Sequence, residues 1–271
     1  MRPEVRALGT ALRPFAAAGR RMRRTQGLTL IGWHRVDDSG DDLSTPVADF
    51  GQHLDELAKW GAVVLPLNEA VAALYAGTLP DRAVALTFDD GYASVVETAW
   101  PVLRARGLPA TLFAVSGYLQ GNRCFAWDRN QPHHDGLRLS TAAELLEAAD
   151  DGLDIGSHSV SHPWLPELSP SELRRELVDS KTDLEQLLGR PVTSVAYPTG
   201  GWDPQVRRAA VEAGYGIGIT VDRGLNTRKA HPLSLRRAFV PHDPRDLRLL
   251  LDGGYTVLRP LDTWRRRTPP W

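Results

Sequence analysis

The 271-residue chain predicts a closed or nearly closed parallel α/β barrel. Three observations lead there. Short apolar, β-compatible runs alternate with helical periodicities along most of the chain. Chemistry-bearing residues, Asp90, His158 and Tyr197, each follow such a run, and a barrel of this class gathers its ligands at the carboxyl ends of its strands. The 42% hydrophobic content is enough to bury one large core.

Taken in order, residues 28–34 form the first predicted strand, ending at His34. A helix is expected from Pro46 to Trp60, with Phe50, Leu54 and Leu57 on one face and Gly61 as its stop. Residues 62–65 read as a strand, and Asn68 as the cap of a helix over 69–76. Residues 83–88 form a buried strand that runs into Asp89, Asp90 and Gly91. A helix over 93–106 and a strand over 110–115 follow, then a long loop over 116–139 that carries Trp127, His133 and His134. Beyond it, Ser140 is expected to cap a helix over 142–149, and a short strand runs from Asp154 toward His158. Ser169 and Glu172 make a capping-box signal for a helix over 170–188, which Gly189 and Pro191 end. Strands over 192–196, 216–221 and 233–240 alternate with helices over 204–213 and 247–251.

Two stretches carry chemistry. Asp89 and Asp90 are adjacent carboxylates at a strand mouth, where Gly91 lets the chain bend so that both can serve one site. Two like charges side by side need a cation or a hydrogen-bonded partner. His158 and His162 lie four residues apart, a spacing that puts both imidazoles on one face of a helical turn, and two imidazoles with Asp90 make an open divalent-metal site.

Thr87-Phe88-Asp89-Asp90-Gly91 and His158-Ser159-Val160-Ser161-His162 resemble the first two motifs of the polysaccharide deacetylases, carbohydrate esterase family 4, with its NodB homology domain. The similarity runs over residues 28–240, through Pro101, Pro109-Ala110-Thr111, Glu176 and Ala196-Tyr197-Pro198-Thr199-Gly200. The resemblance implies a distorted (β/α)7 barrel, with residues 28–258 as the deacetylase-like unit between a basic extension over 1–27 and a tail over 259–271. It implies metal-dependent hydrolysis of acetamide groups on an N-acetylated polysaccharide or lipid-linked glycan. Zn2+ is the expected ion, with Co2+ or Ni2+ as substitutes, held by Asp90, His158 and His162. Asp89 is the expected base, and the Tyr197 N–H the expected oxyanion donor, since Pro198 has none. Gly32-Trp33-His34 resembles the segment that supplies the acid in the exopolysaccharide, poly-N-acetylglucosamine branch, so His34 is preferred as acid over His242. Residues 194–197 lack the arginine common in the family, and Arg237 is expected to orient Asp89 instead; Thr199 replaces an aromatic residue of that branch. A hydrolase of non-sugar C–N bonds and a catalytically silent glycan-binding barrel are the alternative readings.

Composition narrows the partners. Lys+Arg 32 against Asp+Glu 33 gives no global electrostatic case for nucleic acid, and with Cys124 alone neither an intramolecular disulfide nor a multi-cysteine zinc site is available. Residues 1–27 carry Arg2, Arg6, Arg13, Arg20, Arg21, Arg23 and Arg24 against Glu4, a basic arm suited to a membrane surface or to solvent. No signal-like or membrane-spanning apolar stretch is present, so a cytoplasmic or cytoplasmic-membrane-associated protein is expected.

Overall fold

A computed structural model describes residues 27–119, 124–130, 137–241, 243–254 and 262. His133, His134, His242 and nearly all of the predicted arm and tail lie outside the described residues. Seven strands form the barrel: β1 (Thr29–Trp33), β2 (Ala83–Phe88), β3 (Ala110–Ala114), β4 (Asp154–Ser157), β5 (Ser194–Ala196), β6 (Ile217–Ile219) and β7 (Arg237–Phe239). Every pairing between them is parallel, in the spatial order β7-β1-β2-β3-β4-β5-β6. A parallel bridge from Ile219 to Leu235, just ahead of β7, nearly closes the circle, and a short strand at Val63–Val64 adds to β2.

Among the described residues seven α-helices surround or cap the sheet: α1 (Val47–Trp60), α2 (Leu67–Ala76), α3 (Trp100–Ala105), α4 (Ala142–Asp150), α5 (Pro170–Leu188), α6 (Pro204–Glu212) and α7 (Pro244–Leu251). Local sequence fixes most ends. Gly61 and Gly77 close α1 and α2 in the left-handed conformation, and Ser169 with Glu172 forms the expected capping box of α5. Some boundaries differ from expectation. α4 is capped by Thr141 rather than Ser140, again in a capping box, and α2 begins at Leu67 after Pro66, with Asn68 accepting from Thr193 instead of capping. The helix expected over 93–106 starts as a wide π-type turn at Val95–Ala99 before α3, because Pro101 brings no N–H and its ring displaces the carbonyl one turn earlier. The last strand shortens to Arg237–Phe239, with a 3-10 turn at Pro232–Ser234 taking up its predicted start.

Strand alternation splits the core into two layers. Ile31, Trp33, Val84, Leu86, Phe88, Leu112 and Val195 pack outward against the helices. Leu30, Ala83, Ala85, Phe113, Ala196, Ile219 and Leu235 fill the interior, which the apolar face of α2 (Leu67, Ala70, Val71, Leu74) joins. On β2 the interior residues are Ala83, Ala85 and Thr87, so the next in that series is Asp89. On β1 the series Leu30, Gly32 leads to His34, and on β7 Leu235 leads to Arg237. The period of two therefore delivers three polar side chains to one end of the barrel.

Close packing inside makes β4 sensitive to one added carbon. A Cβ on Gly156 would stand 2.5 Å from Phe113 Cδ1 and 2.7 Å from Ser194 Oγ, closer than real contacts allow. Gly156→Ala is expected to destabilise the fold by about 1–3 kcal/mol, read from the urea midpoint; an unchanged midpoint would show that the interior yields where close packing says it does not.

Candidate active site

The chain leaves β2 through a bend that strand geometry alone would not give. Asp89 N–H still donates to Trp33 O at 3.0 Å, continuing the ladder. Asp90 then takes φ 75° and Gly91 φ 82°, two successive left-handed residues that swing the second carboxylate to the same end as the first. Both are buried, Asp89 at 3% and Asp90 at 4% exposure.

Each acid is answered by different partners. Arg237, fully buried, grips Asp89 in a two-pronged ion pair: Nη1 donates to Oδ1 at 2.6 Å and Nη2 to Oδ2. Thr87 Oγ1 accepts a further bond from Nη1 at 3.1 Å and donates to Ile31 O at 2.8 Å. Burial works against the charge of Asp89, but Arg237 and His158 outweigh it and hold the carboxyl below its ordinary value. Asp90 Oδ1 lies 3.4 Å from the Nε2 atoms of both His158 and His162. Burial again opposes its charge, and the two imidazoles again win, holding Asp90 well below the carboxylate range.

The histidines do not lie on the helical turn that their spacing suggested. They bracket an irregular loop after β4 in which Ser159 (φ 66°) and His162 (φ 60°) are left-handed. The loop is tied from several sides. Ser116 and Gly117 donate backbone bonds to Ser159 O and Val160 O, and His162 N–H donates to Ser159 Oγ at 3.0 Å. From α5, the Glu176 carboxylate accepts the Val160 and Ser161 amides, both at 2.9 Å, and the Ser161 hydroxyl at 2.6 Å. His158 Nδ1–H donates to Ala196 O at 2.8 Å; in the neutral ring this leaves Nε2 as a lone pair facing Asp90.

Asp90, His158 and His162 offer one ligand atom each, all within 4.8 Å of one another. One carboxylate oxygen and two imidazole nitrogens at this spacing suit a divalent ion with room for water. The donor set fits, and the His158–Ala196 bond is the outer-shell contact such a ligand uses.

The remaining expected residues fall as follows. His34 follows β1, with its ring stacked on Phe239 at 4.2 Å. Burial pushes its imidazole below the ordinary value against the pull of Asp90 and Asp89. The Tyr197 amide, expected to face an oxyanion, instead donates to Ile219 O at 3.0 Å, and its phenol donates to Leu233 O at 2.9 Å. In the following turn Gly200 and Gly201 donate to Tyr197 O and Pro198 O, while Thr199 is left-handed at φ 52°. Arg35, Tyr92 and Asp128, which no motif or period singles out, join the segment after β1, the turn after Asp90 and the loop after β3 in one buried cluster.

The sequence model of the polysaccharide deacetylase family matches residues 76–218, a span that contains both motifs. The chain belongs to the polysaccharide deacetylase family. Membership makes it a hydrolase of the carbohydrate deacetylase class. It is 30% identical over 214 residues to Bacillus subtilis (strain 168) YxkH, a candidate polysaccharide deacetylase by its name, covering 79% of this chain and 71% of that one. A Staphylococcus aureus (strain MSSA476) poly-β-1,6-N-acetyl-D-glucosamine N-deacetylase is 22% identical, over 74% of this chain and 69% of its own. Among solved structures, IcaB from Ammonifex degensii superposes with a TM-score of 0.72 at 24% identity, over 84% of this chain and 97% of that one. The Streptococcus pyogenes deacetylase PplD, solved with acetate, gives 0.71 at 24% identity, over 84% and 99%. These neighbours carry the same distorted barrel. No helix among the described residues is long and apolar enough to cross a membrane.

In this family member the tie between Glu176 and the histidine loop has a measurable consequence. Glu176→Ala is expected to weaken divalent-ion affinity by about ten- to a hundredfold, as loss of an outer-shell partner does, with Glu176→Gln recovering part of it. Zinc titration of the stripped protein is the measurement, and equal affinity in all three proteins would mean the loop holds its own shape.

Proposed function

We propose that this protein removes acetyl groups from N-acetylated amino sugars of a polysaccharide or lipid-linked glycan, with Asp90, His158 and His162 holding a divalent ion, zinc first among candidates. The observation that carries the reading is the division of the two adjacent acids: Asp90 sits between two imidazole nitrogens at 3.4 Å each, while Asp89 beside it is clamped by Arg237. Family relatives named for N-deacetylation of poly-N-acetylglucosamine support the sugar. The seven arginines of residues 1–27 suit an anionic membrane surface, where a lipid-linked glycan would lie.

When bound, the ion supplies Lewis acidity toward the acetamide carbonyl and acidifies water. Asp89 takes the proton of the attacking water. A carboxylate keeps lone pairs beyond the two that Arg237 occupies, and the pairing keeps it ionised and fixed in direction. With the Tyr197 amide engaged by Ile219 O, the oxyanion role falls to another backbone N–H of the turn after β5. His34, next in the inward series of β1 and under the pull of both aspartates, hands on to the departing amine the proton that Asp89 takes from the water, so it need not rest charged against its burial. Acetate and a free amino sugar result.

Three experiments test the roles. Acetate release from N-acetylglucosamine oligomers should vanish on chelation and return with zinc, cobalt or nickel. Asp89→Asn should bind zinc normally and lose at least about a hundredfold in turnover. Chelated protein at full rate, or an active Asp89→Asn, would end the proposal. His34→Gln should slow the amide about a hundredfold or more while sparing an aryl acetate, whose phenolate leaves without a proton; equal slowing of both substrates would remove His34 from the acid role.

A further inference from the structure

The loop after β3 brings an indole to the edge of the candidate site. Trp127 is 39% exposed, and the other exposed large hydrophobics among the described residues are valines 47, 63 and 211. The side chains behind it are buried. Phe125, 1% exposed, stacks on one face of the indole at 4.2 Å between centroids and 11° between planes. The indole N–H donates to Tyr92 Oη at 3.3 Å; the Tyr92 hydroxyl donates to Asp128 Oδ2 at 2.8 Å. Asp128 is fully buried and its other oxygen accepts from Arg35 at 3.4 Å, while the Arg35 guanidinium lies over the Tyr92 ring. An indole ordinarily buries its body and wets its N–H. Here the N–H is satisfied inside and the ring is what faces water.

The ring also stands beside the reacting groups. Its centroid is 5.0 Å from that of His162, whose Nε2 faces Asp90. Phe125 stacks on the ring and His162 is tilted at 55° beside it, yet 39% of the residue stays open to solvent. We propose that the exposed part of this indole is a platform for a pyranose ring of the glycan next to the reacting acetamide, which makes Trp127 a specificity-determining residue. A pyranose has an apolar C–H face that carries slight positive charge and a polar hydroxyl rim. That face matches the electron-rich π surface, and the rim stays in solvent. The Arg35–Asp128–Tyr92 cluster holds the plane of the platform in place, so little ordering remains to be done when the sugar arrives. The inference rests on the deacetylase reading above.

The test compares zinc-loaded full-length wild type, Trp127→Ala and Trp127→Phe on an N-acetylglucosamine pentamer and on 4-nitrophenyl acetate, which has no sugar to stack. The ratio of kcat/KM for pentamer over ester should fall about tenfold in Trp127→Ala, a loss of about 1.4 kcal/mol, mainly through KM. Trp127→Phe, which keeps an aromatic face, should fall between the two. Pentamer should also change the intrinsic fluorescence of wild type more than that of Trp127→Phe. A ratio unchanged in Trp127→Phe and Trp127→Ala alike, or pentamer and ester falling together, would overturn the platform; so would an undiminished fluorescence response in Trp127→Phe, which decides the matter if Trp127→Ala does not fold. A wild type that cleaves the ester but no N-acetylated oligomer would refute the deacetylase reading itself, and the fluorescence titration would then show separately whether Trp127 binds sugar.

Discussion

The buried Asp89–Arg237 pair is the constraint to which the barrel interior is fitted. Its strands stand two apart, β2 and β7, with β1 between them, so the guanidinium must cross the middle strand to reach the carboxylate. Gly32 is the residue it crosses. A Cβ there would lie 3.1 Å from Thr87 Oγ1 and 3.2 Å from Arg237 Cδ, inside ordinary contact distance. The absence of a side chain on β1 is what permits a charge pair to span three strands. A buried pair of this kind is weak evidence of stability, because replacing it by apolar residues of the same volume costs little, whereas removing one partner leaves a bare buried charge worth about 3–5 kcal/mol. Its value lies in keeping one carboxylate ionised, desolvated and aimed.

Around that pair the site is assembled from loops held in unfavourable backbone. Asp90, Ser159, His162 and Thr199 are all left-handed without being glycine. Such residues cost of order 1 kcal/mol or more each and persist only where the surroundings over-determine them. The surroundings do so here. Glu176 takes two consecutive amides of the histidine loop, Ser116 and Gly117 pin its carbonyls, and the 3-10 turn at Pro198–Gly200 is closed by two backbone bonds. Four of the five left-handed non-glycine positions among the described residues lie at the end of the barrel where the polar side chains meet; the fifth, Arg82, precedes β2 at the other end.

Much of this was legible in the sequence because it follows from period and from short-range chemistry. The strand parity that places Asp89, His34 and Arg237 inward can be read from Ala83 and Ala85, Leu30 and Gly32, and Leu235. Gly91 after two acids announced a bend. What could not be read depends on backbone that departs from period. The helical-turn picture of His158 and His162 gave the right neighbours by the wrong geometry, since two left-handed residues rather than a 3.6 repeat bring the rings together. The Tyr197 amide looked free because Pro198 cannot donate; its engagement with Ile219 depends on β5–β6 register, a long-range fact. The Arg35–Asp128–Tyr92 cluster links residues 93 and 36 positions apart through a loop with no periodicity to betray it.

Two adjacent carboxylates in one buried site would repel if both were left uncompensated, and the structure resolves this by giving them unlike partners. Asp89 is neutralised internally by a permanent cation, because a guanidinium does not lose its proton at any relevant pH. Asp90 faces the imidazoles of His158 and His162, the first of which is held with its Nε2 lone pair outward by the Ala196 carbonyl. The region therefore carries one compensated acid and one acid that still lacks a permanent positive charge. A divalent ion is drawn to the second and has little electrostatic reason to displace Arg237 from the first. That asymmetry, set by a single arginine on β7, is the physical ground for the proposed division of neighbouring residues of identical chemistry into a ligand and a base.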